Sequence, residues 1–166
     1  RFGPLVHATL YPAAENSGKL VSFVRQIASR IAEETQRKWI LIDGPPGVSC
    51  PVIATISGVD AVLVVTEPSV AALSDMERIL DLTGHFRIPT FVAINKWDIF
   101  PEMTGRIEAT ARNRGVTCVG RIRFDPTVNQ AQFMEKTVSE MDARSTEDLA
   151  KLWVNLHTNL NSIFEC

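Results

Sequence analysis

Asp43 ends a short apolar run, Trp39–Ile42, and is followed at once by Gly44-Pro45-Pro46-Gly47. A carboxylate at the tip of a buried strand is well placed to hold Mg²⁺, directly or through water. The two prolines fix φ, and Gly47 lets the backbone approach a ligand closely. Its N–H in such a loop can meet a γ-phosphate oxygen and so sense whether that phosphate is present. The plainer reading of the same residues is a strand followed by a stiff turn.

A second group, Asn95-Lys96-Trp97-Asp98, follows the apolar run Thr90–Ile94. An Asn amide offers one donor and one acceptor, which matches the N6/N7 edge of adenine. Asp98 can accept from the N1 and N2 donors of guanine, and the Lys96 stem can lie over the base plane. Alternatively, Asp98 caps the next helix. A third carboxylate, Glu67, stands in Thr66-Glu67-Pro68 where the run Val59–Val65 stops. The loop Arg121-Ile122-Arg123-Phe124-Asp125-Pro126 can border a base or ribose through backbone groups, although Asp-Pro is also common in plain turns.

Glu15-Asn16-Ser17-Gly18-Lys19 invites comparison with the phosphate-cradling pattern G-x-x-x-x-G-K-[ST]. Ala13 stands at the first Gly position and Leu20 where a Mg²⁺-ligating Ser/Thr is required, so the match is rejected. Ser17 reads instead as a helix cap. Cys50 lies close after the Asp43 loop and reads as a packed residue, a reactive thiol or one ligand of a shared iron–sulfur cluster. His7, His85 and His157 have no metal-site spacing.

The elements that must position these residues alternate between strand-length apolar runs and amphipathic helices. Runs at Pro4–Leu10, Trp39–Ile42, Val59–Val65, Thr90–Ile94 and Val116–Ile122 predict about five strands. Helices are predicted from Ser17 to about Arg37, over Ser69–Phe86 and Pro101–Arg114, and from a capping-box-like Ser145-Thr146-Glu147-Asp148 onward. Near-continuous apolar strands imply burial on both faces. The fold class is therefore α/β, a mostly parallel sheet in a single domain with helices on both sides. Ligands of such sheets sit at the carboxyl ends of the strands, where Asp43, Glu67 and Asn95 fall.

The remaining features exclude several classes. A net charge of −2 without charge blocks argues against a nucleic-acid-binding surface. The apolar runs are too short to span a membrane, and no signal peptide is visible. Three widely spaced cysteines form no disulfide framework, which fits a reducing cytoplasm.

Taken in order, Asp43-Gly-Pro-Pro-Gly47, Thr66-Glu67-Pro68, Asn95-Lys-x-Asp98 and Phe124-Asp125-Pro126 resemble the MinD/ParA/Mrp/nitrogenase-iron-protein (SIMIBI) superfamily of P-loop ATPases. Gly3-Pro-Leu-Val-His7, Glu15-Asn-Ser-Gly-Lys19 and Cys50-Pro-Val52 resemble its subgroup with a ferredoxin-like insertion and a CobQ/CobB/MinD/ParA nucleotide-binding domain. The resemblance implies a three-layer α/β/α fold, ATP and Mg²⁺ as ligands, a homodimer formed around nucleotide, and an iron–sulfur or redox protein as partner. It assigns Asp43 to the switch aspartate, Gly47 to the γ-phosphate glycine and Asn95 to the base contact. It assigns Phe124, Asp125 and Pro126 to the second base-bordering loop, and suggests Cys50 as a cluster ligand. The family's P-loop and a [4Fe–4S] segment are expected upstream of Arg1, so the chain reads as the carboxyl-terminal portion of a longer ATPase, inactive alone. Competing readings are a GTPase using Asn95-Lys96-x-Asp98, a non-catalytic partner-binding module, and amidation of a corrinoid-like acid.

Overall fold

The computed structural model describes residues 3–9 and 18–164. The chain divides into two compact units, Arg1–Val59 and Asp60–Cys166. Ser17, Glu15, Asn16 and the end of the expected first strand at Leu10 lie outside the described residues.

Among its described residues the first unit carries two helices, α1 (Gly18–Glu34) and α2 (Cys50–Ile56). Pro51 at the start of α2 removes an N–H that would have had no helical partner, which favours starting a helix there. Its other end is closed by α1: the Arg25 guanidinium donates to the Ala54 carbonyl at 2.8 Å and to Ser57 at 2.6 Å. These are carbonyls that a helix end leaves without intrahelical donors. Two of the five expected strands are absent among the described residues. Residues 3–9 and 39–42 are neither strand nor bridge, and Leu5 and Leu41 are 83% and 93% exposed. An apolar run becomes a strand only where a neighbour takes its N–H and C=O groups, and no ladder reaches either run among the described residues. Asp43 consequently ends no strand and stands exposed in irregular backbone.

The second unit meets the expectation for its strands and its long helices. β1 (Val62–Thr66), α3 (Val70–His85), β2 (Thr90–Asn95), α4 (Pro101–Asn113) and β3 (Thr117–Ile122) alternate. α5 (Thr127–Phe133), a 3-10 turn at Val138–Glu140 and α6 (Arg144–Phe164) follow. The sheet is parallel throughout, in the order β1-β2-β3. Alternate residues of β2 face opposite sides, as strand geometry requires. Val92 and Ile94 pack with Met76 and Leu80 of α3 and with Met103, Ile107 and Ala111 of α4. Phe91 and Ala93, with Val119, pack against Leu152, Leu156 and Leu160 of α6. Helices thus cover both faces of an α/β parallel sheet. Gly120 makes the second contact close: a Cβ there would lie 2.9 Å from the Leu152 Cβ.

The start of α6 differs from the capping box read at Ser145–Asp148. Ser145 lies inside the helix and is buried, with its hydroxyl donating to Asp125 rather than capping its own helix. Asp148 is drawn to Arg123. The reciprocal capping box sits upstream, between Thr137 and Glu140.

Candidate functional site

Three parallel strands in one sheet bring their carboxyl ends to one edge. The register sets Thr66 beside Ile94 and Asn95 beside Ile122. Glu67, Asn95-Lys96-Trp97-Asp98 and Arg123–Pro126 therefore emerge side by side, and a chain of contacts joins them.

After β1 the backbone turns at once. The Ser69 N–H donates to the Glu67 carbonyl at 2.7 Å, and the Ser69 hydroxyl accepts from the Ala72 N–H, capping α3. This fixes Glu67, whose carboxylate accepts from the Lys96 ammonium at 3.3 Å across the gap to the β2 loop. Lys96 has φ 52°, a left-handed conformation uncommon outside glycine. It is supported by Asn95, whose Oδ1 accepts the Lys96 N–H at 3.0 Å. A backbone N–H can only donate, so the side-chain atom facing it is the amide oxygen. The Asn95 NH₂ keeps its two donors for other partners.

The β2 loop is anchored from below and from the side. The buried Thr104 hydroxyl donates to the Trp97 carbonyl at 2.7 Å. The Trp97 N–H donates to the Ile122 carbonyl at 3.3 Å. The Arg121 guanidinium lies 5.4 Å from the Trp97 ring centroid and forms a two-point pair with Glu108 of α4, at 2.6 and 2.7 Å. That pairing raises the Arg121 pKa. Asp98 does not cap α4, whose N-cap position is Phe100. Its Oδ1 instead accepts the Phe124 N–H at 2.7 Å.

The loop after β3 is shaped by two further carboxylates. Asp148 of α6 accepts from the Arg123 N–H at 3.1 Å and from both sides of its guanidinium, at 2.6 and 2.7 Å. The Arg123 bonds hold the Asp148 carboxyl below its ordinary pKa. Asp125 accepts from the Thr127 N–H at 2.9 Å, and from the Ser145 N–H and hydroxyl at 3.0 Å each. Those donors, the Ser145 N–H foremost, hold its carboxyl far below the ordinary range. Pro126 takes the N-cap position of α5, and Phe124 is exposed.

The electrostatics of this edge decide what it can hold. Lys96, Arg121 and Arg123 are each paired with a carboxylate, Glu67, Glu108 and Asp148. Cations already neutralised are poor seats for a triphosphate. An amide donor pair, an exposed aromatic ring at Phe124 and ordered backbone suit a flat, uncharged base.

Asp43, Gly47 and Cys50 belong to the first unit, in the segment leading into α2, and all three are exposed. Gly47 has φ +85° with nothing within 4 Å of where a Cβ would stand, a conformation that suits glycine and leaves its backbone open to approach. A magnesium–triphosphate asks little of a protein, often one or two carboxylates beside the phosphates and water, so a free carboxylate at Asp43 fits. A [4Fe–4S] cluster asks for four ligands. Among the described residues no three His, Cys, Asp or Glu side chains gather, so Cys50 alone does not make such a site.

Sequence reasoning missed Thr104 and Glu108, and read Ser145 and Asp148 as a helix cap alone. Their signal is spatial: each meets its partner only after strands and helices have packed.

No family model matches the chain. It is 31% identical over 93 residues to an uncharacterized protein of Methanocaldococcus jannaschii, covering 56% of this chain and 32% of that one. It is 35% identical over 83 residues to the septum site-determining protein MinD of Bacillus subtilis, covering 49% and 30%. With the cytosolic Fe-S cluster assembly factor Nubp1 homolog of Drosophila grimshawi it shares 27% identity over 134 residues, covering 68% and 43%. The chain thus spans about a third to two-fifths of the length of these curated relatives. Among solved structures, the Pyrococcus furiosus cell division ATPase MinD superposes with a TM-score of 0.63 at 16% identity, covering 78% of this chain and 56% of that one. A chain of the MinC:MinD cell division protein complex of Aquifex aeolicus gives 0.68 at 17%, covering 86% and 60%. At such identities the structural likeness speaks to fold.

Proposed function

From the premise that the chain is related to the MinD/ParA/Mrp superfamily of P-loop ATPases over the part it shares with them, we propose that it is the base-binding and switch-bearing portion of an ATP-dependent nucleotide switch. One observation carries the reading: three adjacent strand ends are tied by Glu67–Lys96 and Asp98–Phe124 into one ordered rim with the Asn95 amide donors between them. In this reading Asn95 donates to the purine N7, and the Phe124–Pro126 loop borders the base. Asp43 holds Mg²⁺ through water, and the Gly47 N–H meets the γ-phosphate. Mg²⁺ and ATP supply the charge neutralisation and the bond energy, and the chain's part is to bind, orient and sense.

The intact protein then acts in the cytoplasm as a homodimer whose interface or partner responds to hydrolysis. The relative named as a cytosolic Fe-S cluster assembly factor supports iron–sulfur cluster handling as the task served. Titration of the intact protein with Mg·ATP tests the reading. Asn95→Ala is expected to weaken binding about tenfold, the worth of one well-made hydrogen bond to a ligand. Equal affinity in wild type and variant would remove Asn95 from the base site.

A further inference from the structure

Asp98 stands in the position of a guanine reader, yet its contacts describe another job. A guanine reader needs both carboxylate oxygens for the N1–H and N2–H donors of the base. Here Oδ1 accepts the Phe124 N–H at 2.7 Å. The residues on either side of Phe124 are held in the same manner. The Arg123 N–H goes to Asp148 of α6 and the Thr127 N–H, where α5 begins, to Asp125 of the loop itself, so three aspartates capture backbone donors along this stretch. Asp148 and Asp125 both fasten that loop to α6. Beside the Trp97 N–H on the Ile122 carbonyl at the end of β3, Asp98 is, among the described residues, the side chain whose hydrogen bond fastens this loop to the β2 loop, which is in turn fixed by Thr104 on the Trp97 carbonyl. Asp98 is therefore the link that sets the distance between Asn95 and Phe124.

We propose that Asp98 is a positioning residue, a clasp between the β2 and β3 loops, and that it does not select guanine. Recognition of the purine then falls to the Asn95 amide, and selection between adenine and guanine to the loop backbone. Because the Asn95 oxygen already accepts the Lys96 N–H, the side chain meets the base as a donor. It recognises a purine N7 and accepts adenine without help from Asp98. This part of the inference rests on the nucleotide reading above; the clasp itself rests on the hydrogen bond alone.

The test uses the intact protein with Asp98→Asn and Asp98→Ala. An Asn retains an oxygen for the Phe124 N–H but presents guanine with a mismatched donor; an Ala retains neither. Two readouts are taken: hydrogen exchange of the Phe124 amide, and binding of Mg·ATP and Mg·GTP. In Asp98→Ala, exchange is expected to speed up about tenfold and Mg·ATP affinity to fall about tenfold, the loss of one charge-assisted bond. In Asp98→Asn both are expected to stay within about threefold of wild type, with the ATP-to-GTP ratio unchanged. Loss of GTP binding in Asp98→Asn with ATP binding intact overturns the proposal, because the carboxylate then reads the base. Unchanged Phe124 exchange in Asp98→Ala overturns it as well. A wild-type protein that binds neither nucleotide defeats the functional reading, and the exchange comparison still decides the clasp.

Discussion

The segment 39–47 and the strand ends of the second unit carry the same written signal, an apolar run that stops at a polar residue, and they take different forms. Thr90–Asn95 lies between two parallel neighbours, with Val92, Ala93 and Ile94 fully buried. Trp39–Ile42 has no ladder, and Leu41 is 93% exposed. Hydrophobic content marks a candidate strand, but only a neighbour's N–H and C=O groups make one. The chemistry divides along the same line. Asn95 and Asp98 are held in place by hydrogen bonds, whereas Asp43 and Gly47 sit in backbone with no ladder to fix it.

The widest gap between the regions is expected in their cores. Ile94→Ala should lower stability by about 2–5 kcal/mol in urea denaturation, because it opens a cavity between the sheet and helices α3 and α4. Leu41→Ala should stay within about 0.5 kcal/mol. A large loss at Leu41 would mean that the run is packed in solution, and would erase the contrast.

Gly120→Ala should cost about 1–3 kcal/mol, since the added Cβ meets Leu152 at 2.9 Å and α6 must shift. Gly47→Ala strains a positive φ but meets no neighbour, so its effect should be smaller and local. Comparing the two melting temperatures sharpens the distinction between a glycine needed for packing and one needed for backbone conformation.

Acid should act on the second unit through Asp125. Its folded carboxyl loses its proton more readily than the unfolded one, so below about pH 4 the unfolded chain takes up protons first. The stability this contributes is fully present above that pH and falls as the pH drops. Asp125→Asn should flatten the acid limb of a stability–pH curve, and an unchanged limb would show that Ser145 and Thr127 do not hold the carboxylate in solution.

The smallest effect is expected at Glu67→Gln. The Glu67–Lys96 pair is about half exposed on both sides, so its loss should change stability by no more than about 0.5 kcal/mol, and less in high salt. A larger, salt-insensitive loss would make the bridge a structural support of the rim.

What could be read from sequence follows from the same physics. The strands at 62–66, 90–95 and 117–122 were legible as short apolar runs, and the helices between them by their periodic apolar faces. α2 and α5 are seven residues each, too short for periodicity to reveal. Their signals were Ser49 before Cys50-Pro51, and Asp125-Pro126 before Thr127, patterns of a helix start that also read as turns. The polar residues at the strand ends were recognisable by type. Their partners were not, because Asp98–Phe124, Arg123–Asp148 and Asp125–Ser145 join residues 20 to 26 positions apart.

The proposed role of Asp43 in holding Mg²⁺ for hydrolysis is tested most directly by Asp43→Ala in the intact protein, with Mg·ATP binding and turnover measured separately. The account predicts that turnover falls at least about tenfold while the fold and nucleotide binding persist. Turnover equal to wild type would contradict it.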